Sequence, residues 1–170
     1  MGRRGFVTVL RFFLENPSLE AHAAELKRRL EVSKNSLLDA LRQLEQTGLL
    51  RKKAYGRALY YSFDRSDVLG KELRKLLTLS ALRERLRERE LEGIEVFLYG
   101  SAARGENTEA SDIDILAVGP QEKRTSSELN RALEGMKTKL LYLTPLEYSE
   151  LARKDRALYD SIERDKVRLV

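Results

Sequence analysis

The 170-residue chain carries a formal net charge of +5, with 35% charged residues, no cysteine, no tryptophan and one histidine. Missing cysteine excludes disulfides and thiolate metal sites, and the lone His22 supports neither a histidine zinc site nor a catalytic triad, so any metal here is a hard cation held by carboxylates. The length suits one ordinary domain or two small ones, and no run nears the roughly 18 apolar residues of a membrane span.

The opening MGRRGFVTVLRFFLENPSL starts basic and apolar but is interrupted by Arg11 and Glu15, with no small-residue cleavage site after it. That pattern predicts a cytoplasmic protein with no membrane partner. Charge is uneven along the chain: residues 1–67 hold 13 Lys/Arg against 8 Asp/Glu, residues 68–92 hold 7 against 5, and residues 93–170 hold 12 against 14. These shifts predict a basic N-terminal domain at 1–67, a connecting helix at 68–92 and a slightly acidic C-terminal domain at 93–170.

Phe6, Val7, Val9, Leu10, Phe13 and Leu14 fall at helical spacing, and Asn16-Pro17-Ser18 stops that helix. A second helix is expected to bury Ala21, Ala24, Leu26 and Leu30, with His22 on its polar part. Ser33 is a good N-cap for a third helix whose Leu37, Leu41 and Leu44 recur at i, i+4 and i+7, and Gly48 ends it. The stretch LLRKKAYGRALYYSF alternates on either side of Tyr55-Gly56-Arg57, as a two-stranded hairpin does.

Three helices followed by a basic hairpin, in AAELKRRLEVSKNSLLDALRQLEQTGLLRKKAYGRALYYSF, resemble the winged helix-turn-helix transcriptional regulators of prokaryotes. The resemblance implies a third helix in the major groove and a wing on the backbone or minor groove of double-stranded DNA. Carried over by position, Lys34, Asn35, Ser36, Asp39 and Arg42 lie on the exposed side of helix three, and Lys52, Lys53 and Arg57 on the wing. Lysine and arginine supply phosphate contacts, while Asn35 or Arg42 can read a base edge. The bland alternative is a solvated helix face on a protein-binding module.

From Ser66 to Glu92 the chain reads as one long helix, with Leu69, Leu73, Leu76, Leu79, Leu82 and Leu86 three or four apart, ended by Gly93. Such a helix either forms a homodimer suited to a palindromic site or packs on the chain's own domains.

Ile94–Tyr99 is a strand by composition and runs into Gly100-Ser101; a short turn, a polar loop and a second strand, DIDILAV from Asp112, follow. Alternation points Asp112 and Asp114 to one side, about 6.6 Å apart along the backbone, and Ile113 and Ile115 to the other. The two carboxylates can therefore converge on divalent cations, while Gly100 admits a phosphate to the backbone and Ser101 offers donors to it.

The stretch GSAARGENTEASDIDIL closely resembles the signature of the minimal nucleotidyltransferases of the DNA polymerase beta superfamily. The resemblance implies Asp112 and Asp114 as catalytic metal ligands, and Gly100, Ser101, Arg104 and Ser111 as nucleotide-binding positions. It implies Mg²⁺ or Mn²⁺ and a nucleoside triphosphate, with ATP expected. It also implies a third carboxylate on a later strand, yet the candidate strand KTKLLYLTP offers Lys139 there, or Thr138 or Lys137 in a shifted register. A lysine at that place repels a second cation and can hold a phosphate instead.

The expected fold is α+β: an N-terminal winged helix-turn-helix, a long connecting helix and a C-terminal nucleotidyltransferase-fold α/β domain with a mixed sheet. The expected function is a DNA-binding transcriptional regulator whose second domain binds a metal-nucleotide with weak or lost catalysis. The alternative is an active Mg-dependent nucleotidyltransferase acting on a protein or small-molecule hydroxyl, including an antitoxin-type role with a toxin partner.

Overall fold

The computed structural model describes residues 2–87 and 89–170. It divides into two compact units, one reaching to Leu73 and one formed by Arg74–Val170.

The first unit begins with α1 (Gly2–Glu15), β1 (Glu20–His22), α2 (Ala23–Arg29) and α3 (Lys34–Gln46). Strands β2 (Leu50–Tyr55) and β3 (Ala58–Phe63) follow. The predicted N-cap is present: the Ser33 hydroxyl accepts from the Ser36 N–H at 3.1 Å, which satisfies one of the open donors of α3. Leu37, Leu41 and Leu44 are buried, as their spacing predicts, and so are Val9 and Phe13 of α1 and Leu26 of α2, the helices that α3 packs against. The β2–β3 hairpin closes through a two-residue loop, with Tyr55 opposite Ala58 and Gly56 at φ 60°, a value suited to the first loop position of a type II′ turn.

The second predicted helix is corrected at its start. Glu20, Ala21 and His22 pair antiparallel with Ser62, Tyr61 and Tyr60, adding a third strand in the order β1-β3-β2. Ala21 is buried from that strand, and His22 is the N-cap of α2, its Nδ1 accepting from the Ala24 N–H at 3.2 Å.

The predicted connecting helix is shorter than its leucine spacing suggests. It is α4, Val68–Leu86, and the Asp67 carboxylate accepts from the Gly70 N–H at its start. The predicted extension to Glu92 includes residue 88, which lies outside the described residues. Leu82 and Leu86 are buried in the core of the second unit, whereas Leu69 and Leu76 are exposed. No helix among the described residues is long and apolar enough to cross a membrane.

The second unit continues with β4 (Glu95–Tyr99), α5 (Gly100–Ala103), β5 (Ile113–Val118), α6 (Lys123–Leu133) and β6 (Thr138–Leu143). It closes with α7 (Pro145–Lys154), α8 (Arg156–Asp165) and β7 (Val167–Arg168). The sheet order is β6-β5-β4-β7, with β5 and β6 parallel and the other pairs antiparallel, so the sheet is mixed as expected. Alternation splits β5 between two apolar clusters: Ile115 and Ala117 pack with Leu82, Leu86, Leu129 and Leu133, and Leu116 and Val118 pack with Ile162. The sheet is therefore covered by α4 and α6 on one face and by α7 and α8 on the other. Asp114 continues the Leu116 face beyond the point where that cluster ends, and Asp112, predicted as the first strand residue, lies just before β5.

Candidate functional site

Antiparallel pairing brings the end of β4 beside the start of β5, with Tyr99 opposite Asp114. Gly100 follows at φ 70°, a left-handed backbone that glycine adopts without cost. A Cβ built on it would stand 2.5 Å from Asp114 Oδ2, so the carboxylate lies directly against the bare glycine backbone. Gly100 and Asp114, 14 positions apart in the chain, thus form one wall.

The one-turn helix α5 folds over this wall, with the Ser101 carbonyl accepting from the Arg104 and Glu106 N–H groups at 3.2 and 2.8 Å. Ser101 is half-buried, and its hydroxyl has no hydrogen-bond partner among the described residues. Ser111 is a loop fastener: its Oγ accepts from the Thr108 N–H at 2.9 Å and lies 3.1 Å from Thr108 Oγ1. Arg104 is committed elsewhere, its guanidinium donating to Glu106 at 2.9 Å and to Asp165 at the end of α8. That pair ties α5 to α8 and turns the arginine's charge toward protein carboxylates.

Burial pushes the Asp165 carboxyl up, but the bonds from Arg164 and Arg104 outweigh it and hold the group below its ordinary value. Such a carboxyl adds stability that is full above its unfolded value of about 3.9 and is lost as pH falls through its lower folded value. Asp165→Asn is therefore expected to melt lower than wild type at pH 7, with the gap closing in melts below about pH 4.

Asp112, just before β5, is exposed, and Asp114 within the strand is half-buried. Burial raises the Asp114 carboxyl above its ordinary value; the Lys139 charge works against that and the Asp112 charge adds to it. Strand β6 runs parallel to β5 with Lys139 level with Asp114, the register the sequence favours. Lys137 Nζ lies 3.3 Å from Asp112 Oδ1. No group of three His, Cys, Asp or Glu side chains disposed to hold a metal occurs among the described residues. The donor set present, two carboxylates of which Asp114 packs on the Gly100 backbone, fits a single hard divalent ion whose remaining ligands come from phosphate and water.

The sequence did not point to Arg74. It is buried in α4, and its guanidinium donates to the Gly105 carbonyl at 3.2 Å, to the Asn107 carbonyl and to Asn107 Oδ1 at 3.2 Å. It thereby holds the loop that leads into Asp112. The available signal was positional: residues 74, 78, 82 and 86 share one helix face, and the last two are the buried leucines.

A family model described as the nucleotidyltransferase domain matches residues 79–168. The chain belongs to the nucleotidyltransferase domain family. No curated protein matches the chain. Among solved structures, it is 26% identical to a Sulfolobus solfataricus protein proposed to be a nucleotidyltransferase, over 58% of this chain and 84% of that one, with a TM-score of 0.36. It is 17% identical to TrmBL2, an archaeal chromatin protein with a novel mode of DNA binding, over 94% of this chain and 70% of that one, with a TM-score of 0.29. The nucleotidyltransferase match spans α4 from Leu79, so the part of that helix that carries Leu82 and Leu86 belongs to the domain.

In the first unit, Lys34, Asn35, Asp39 and Arg42 are exposed on α3, and Lys53 and Arg57 are exposed on the hairpin. One of the residues predicted on the exposed side of α3 is less exposed than expected. Ser36 is half-buried against α1, where a Cβ built on Gly5 would meet Ser36 Cβ at 2.9 Å. Lys52 is exposed on β2, as expected, and is ion-paired with Glu45 of α3 at 2.6 Å.

Proposed function

We propose that this protein is a DNA-binding regulator whose nucleotidyltransferase domain binds a nucleoside triphosphate, ATP, together with Mg²⁺ or Mn²⁺. The observation that carries the reading is the close packing of the Asp114 carboxylate on the Gly100 backbone, with Asp112 two residues before it, which puts both carboxylates beside the turn that enters α5. Asp112 and Asp114 hold the cation, which when bound neutralises triphosphate charge. Gly100 and the unpartnered Ser101 hydroxyl receive phosphate oxygens, and Ser111 and Arg74 keep the loop before Asp112 in place. Lysines beside both carboxylates favour binding over rapid transfer, because their charges reduce the acidity of the patch that a reacting metal centre needs.

The N-terminal unit acts as a winged helix-turn-helix in this reading, with α3 in the major groove and the β2–β3 hairpin as the wing. Its support is the row of exposed Lys34, Asn35, Asp39 and Arg42 with Lys53 and Arg57, on a segment with an excess of positive charge. Exposed Leu69 and Leu76 of α4 suit pairing of two copies on a palindromic site.

Fluorescence anisotropy with labelled duplex DNA, with and without Mg²⁺ and ATP, tests the regulator. Four exposed cations, Lys34, Arg42, Lys53 and Arg57, predict a log affinity that falls with log salt at a slope of roughly −3 to −4 per bound copy. Nucleotide is expected to change the affinity. Absence of salt-sensitive duplex binding would sink the DNA half of this reading.

A further inference from the structure

The carboxylates at the start of β5 are interleaved with ammonium groups. Lys139 is level with Asp114 across the parallel β5–β6 pair, and Lys137, whose carbonyl accepts from the Ile113 N–H at 2.8 Å, brings its Nζ to 3.3 Å from Asp112. One end of a single patch therefore attracts cations and its neighbouring strand attracts anions.

The two lysines differ in their engagements. Lys137 is committed, donating to the Ala110 carbonyl as well as pairing with Asp112, so it fixes the end of the loop. Lys139 is exposed and, among the described residues, makes no hydrogen bond or ion pair, although it sits beside Asp114. An ammonium offers three donors and no acceptor, so its partner must be an acceptor, preferably anionic. A bare cation on this patch meets the Lys139 charge, and a bare polyphosphate meets Asp112 and Asp114. A polyphosphate that carries its own divalent ion satisfies both sides at once.

We propose that Lys139 is a phosphate ligand of the nucleotide pocket, and that this pocket takes its triphosphate with one divalent cation and no second. The inference rests on the nucleotide reading above. A second cation on the β6 side of Asp114 lies next to the Lys139 ammonium, and like charges repel more strongly there than in water. It also has to share the same two aspartates, since no third acidic or histidine ligand joins them among the described residues.

The test uses the full chain, Mn²⁺ and a non-hydrolysable ATP analogue, with nucleotide affinity from calorimetry and Mn²⁺ per bound nucleotide from electron paramagnetic resonance. Wild type is expected to show one Mn²⁺ per bound nucleotide, with no spin coupling between two ions. Lys139→Ala should weaken nucleotide binding at least tenfold, and Lys139→Arg should retain most of it. Lys139→Asp should admit a second, spin-coupled Mn²⁺. The side chain is exposed, so these variants keep the fold, and a matching melt without ligand checks it. Two coupled ions in wild type, or unchanged affinity in Lys139→Ala, overturns the inference and leaves the nucleotide reading standing. No nucleotide binding by wild type under any metal condition overturns both.

Discussion

Gly100→Ala is expected to abolish nucleotide binding and to lower the melting temperature by on the order of 10 °C. Two costs combine. Gly100 sits at φ 70°, where an L side chain costs about 1–2 kcal/mol. The added Cβ also arrives 2.5 Å from Asp114 Oδ2 and 3.3 Å from its Cγ, so the carboxylate must leave its place. A total of about 2–3 kcal/mol converts to that shift at roughly 4–8 °C per kcal/mol for a unit of this size. Gly135→Ala is the control. Its φ is 76°, but nothing lies within 4 Å of the Cβ it would gain, so it carries the backbone cost alone and leaves nucleotide affinity intact. Equal losses of affinity in the two variants would refute the close approach at Gly100.

Arg74→Met should destabilise the chain by about 3 kcal/mol in urea unfolding, with the slope of the transition unchanged. The methionine keeps most of the apolar stem but removes the donors to Gly105 and Asn107. Each buried acceptor left without a partner costs about 1–3 kcal/mol. The freed segment leads into Ser111 and Asp112, so nucleotide affinity is expected to fall with stability. Arg74→Lys should recover part of the stability, because a point charge reaches one carbonyl where the planar fork reaches several acceptors. A change below about 0.5 kcal/mol, the range of ordinary surface substitutions, would show that the buried guanidinium does not hold the loop.

How much of this was readable in advance follows from the range of each interaction. Helix α3 was legible because its cap and its three core leucines lie within one short segment, and the hairpin because Gly56 and the alternating strands adjoin. Strand β1 was not: Glu20-Ala21-His22 has one apolar side chain, and its partners Tyr60–Ser62 lie far downstream, so local pattern favoured extending a helix through it. The end of α4 was misplaced because alternating Arg and Glu after Leu86 suit a helix, while the chain must turn there to bury Leu91 and enter β4. At the site, alternation predicted Asp112 and Asp114 on one side of a strand, but β5 begins at Ile113, so only Asp114 is placed by the pleat. The commitments of Arg104 to Asp165 and of Lys52 to Glu45 were hidden, since an ion pair between distant elements leaves no trace in composition. Arg74 was hidden for a related reason: an arginine on a charged helix reads as solvated until its acceptors are seen.

A thermal melt of wild type and Asp114→Asn, with and without Mg²⁺ and ATP, bears most directly on the metal-nucleotide site. Asp114 is held above its ordinary value by burial, so its ionised form costs stability at neutral pH once the pH exceeds its folded value. The ligand-free variant is therefore expected to melt at or above wild type at pH 7, an advantage that disappears as pH falls below the unfolded carboxyl value. With ligand at about 100 times its dissociation constant, wild type should gain roughly 2.7 kcal/mol, a rise of several degrees that requires Mg²⁺ and that Asp114→Asn loses. No shift in wild type with any nucleoside triphosphate, or an equal shift in the variant, would contradict a nucleotide site built on Gly100 and Asp114.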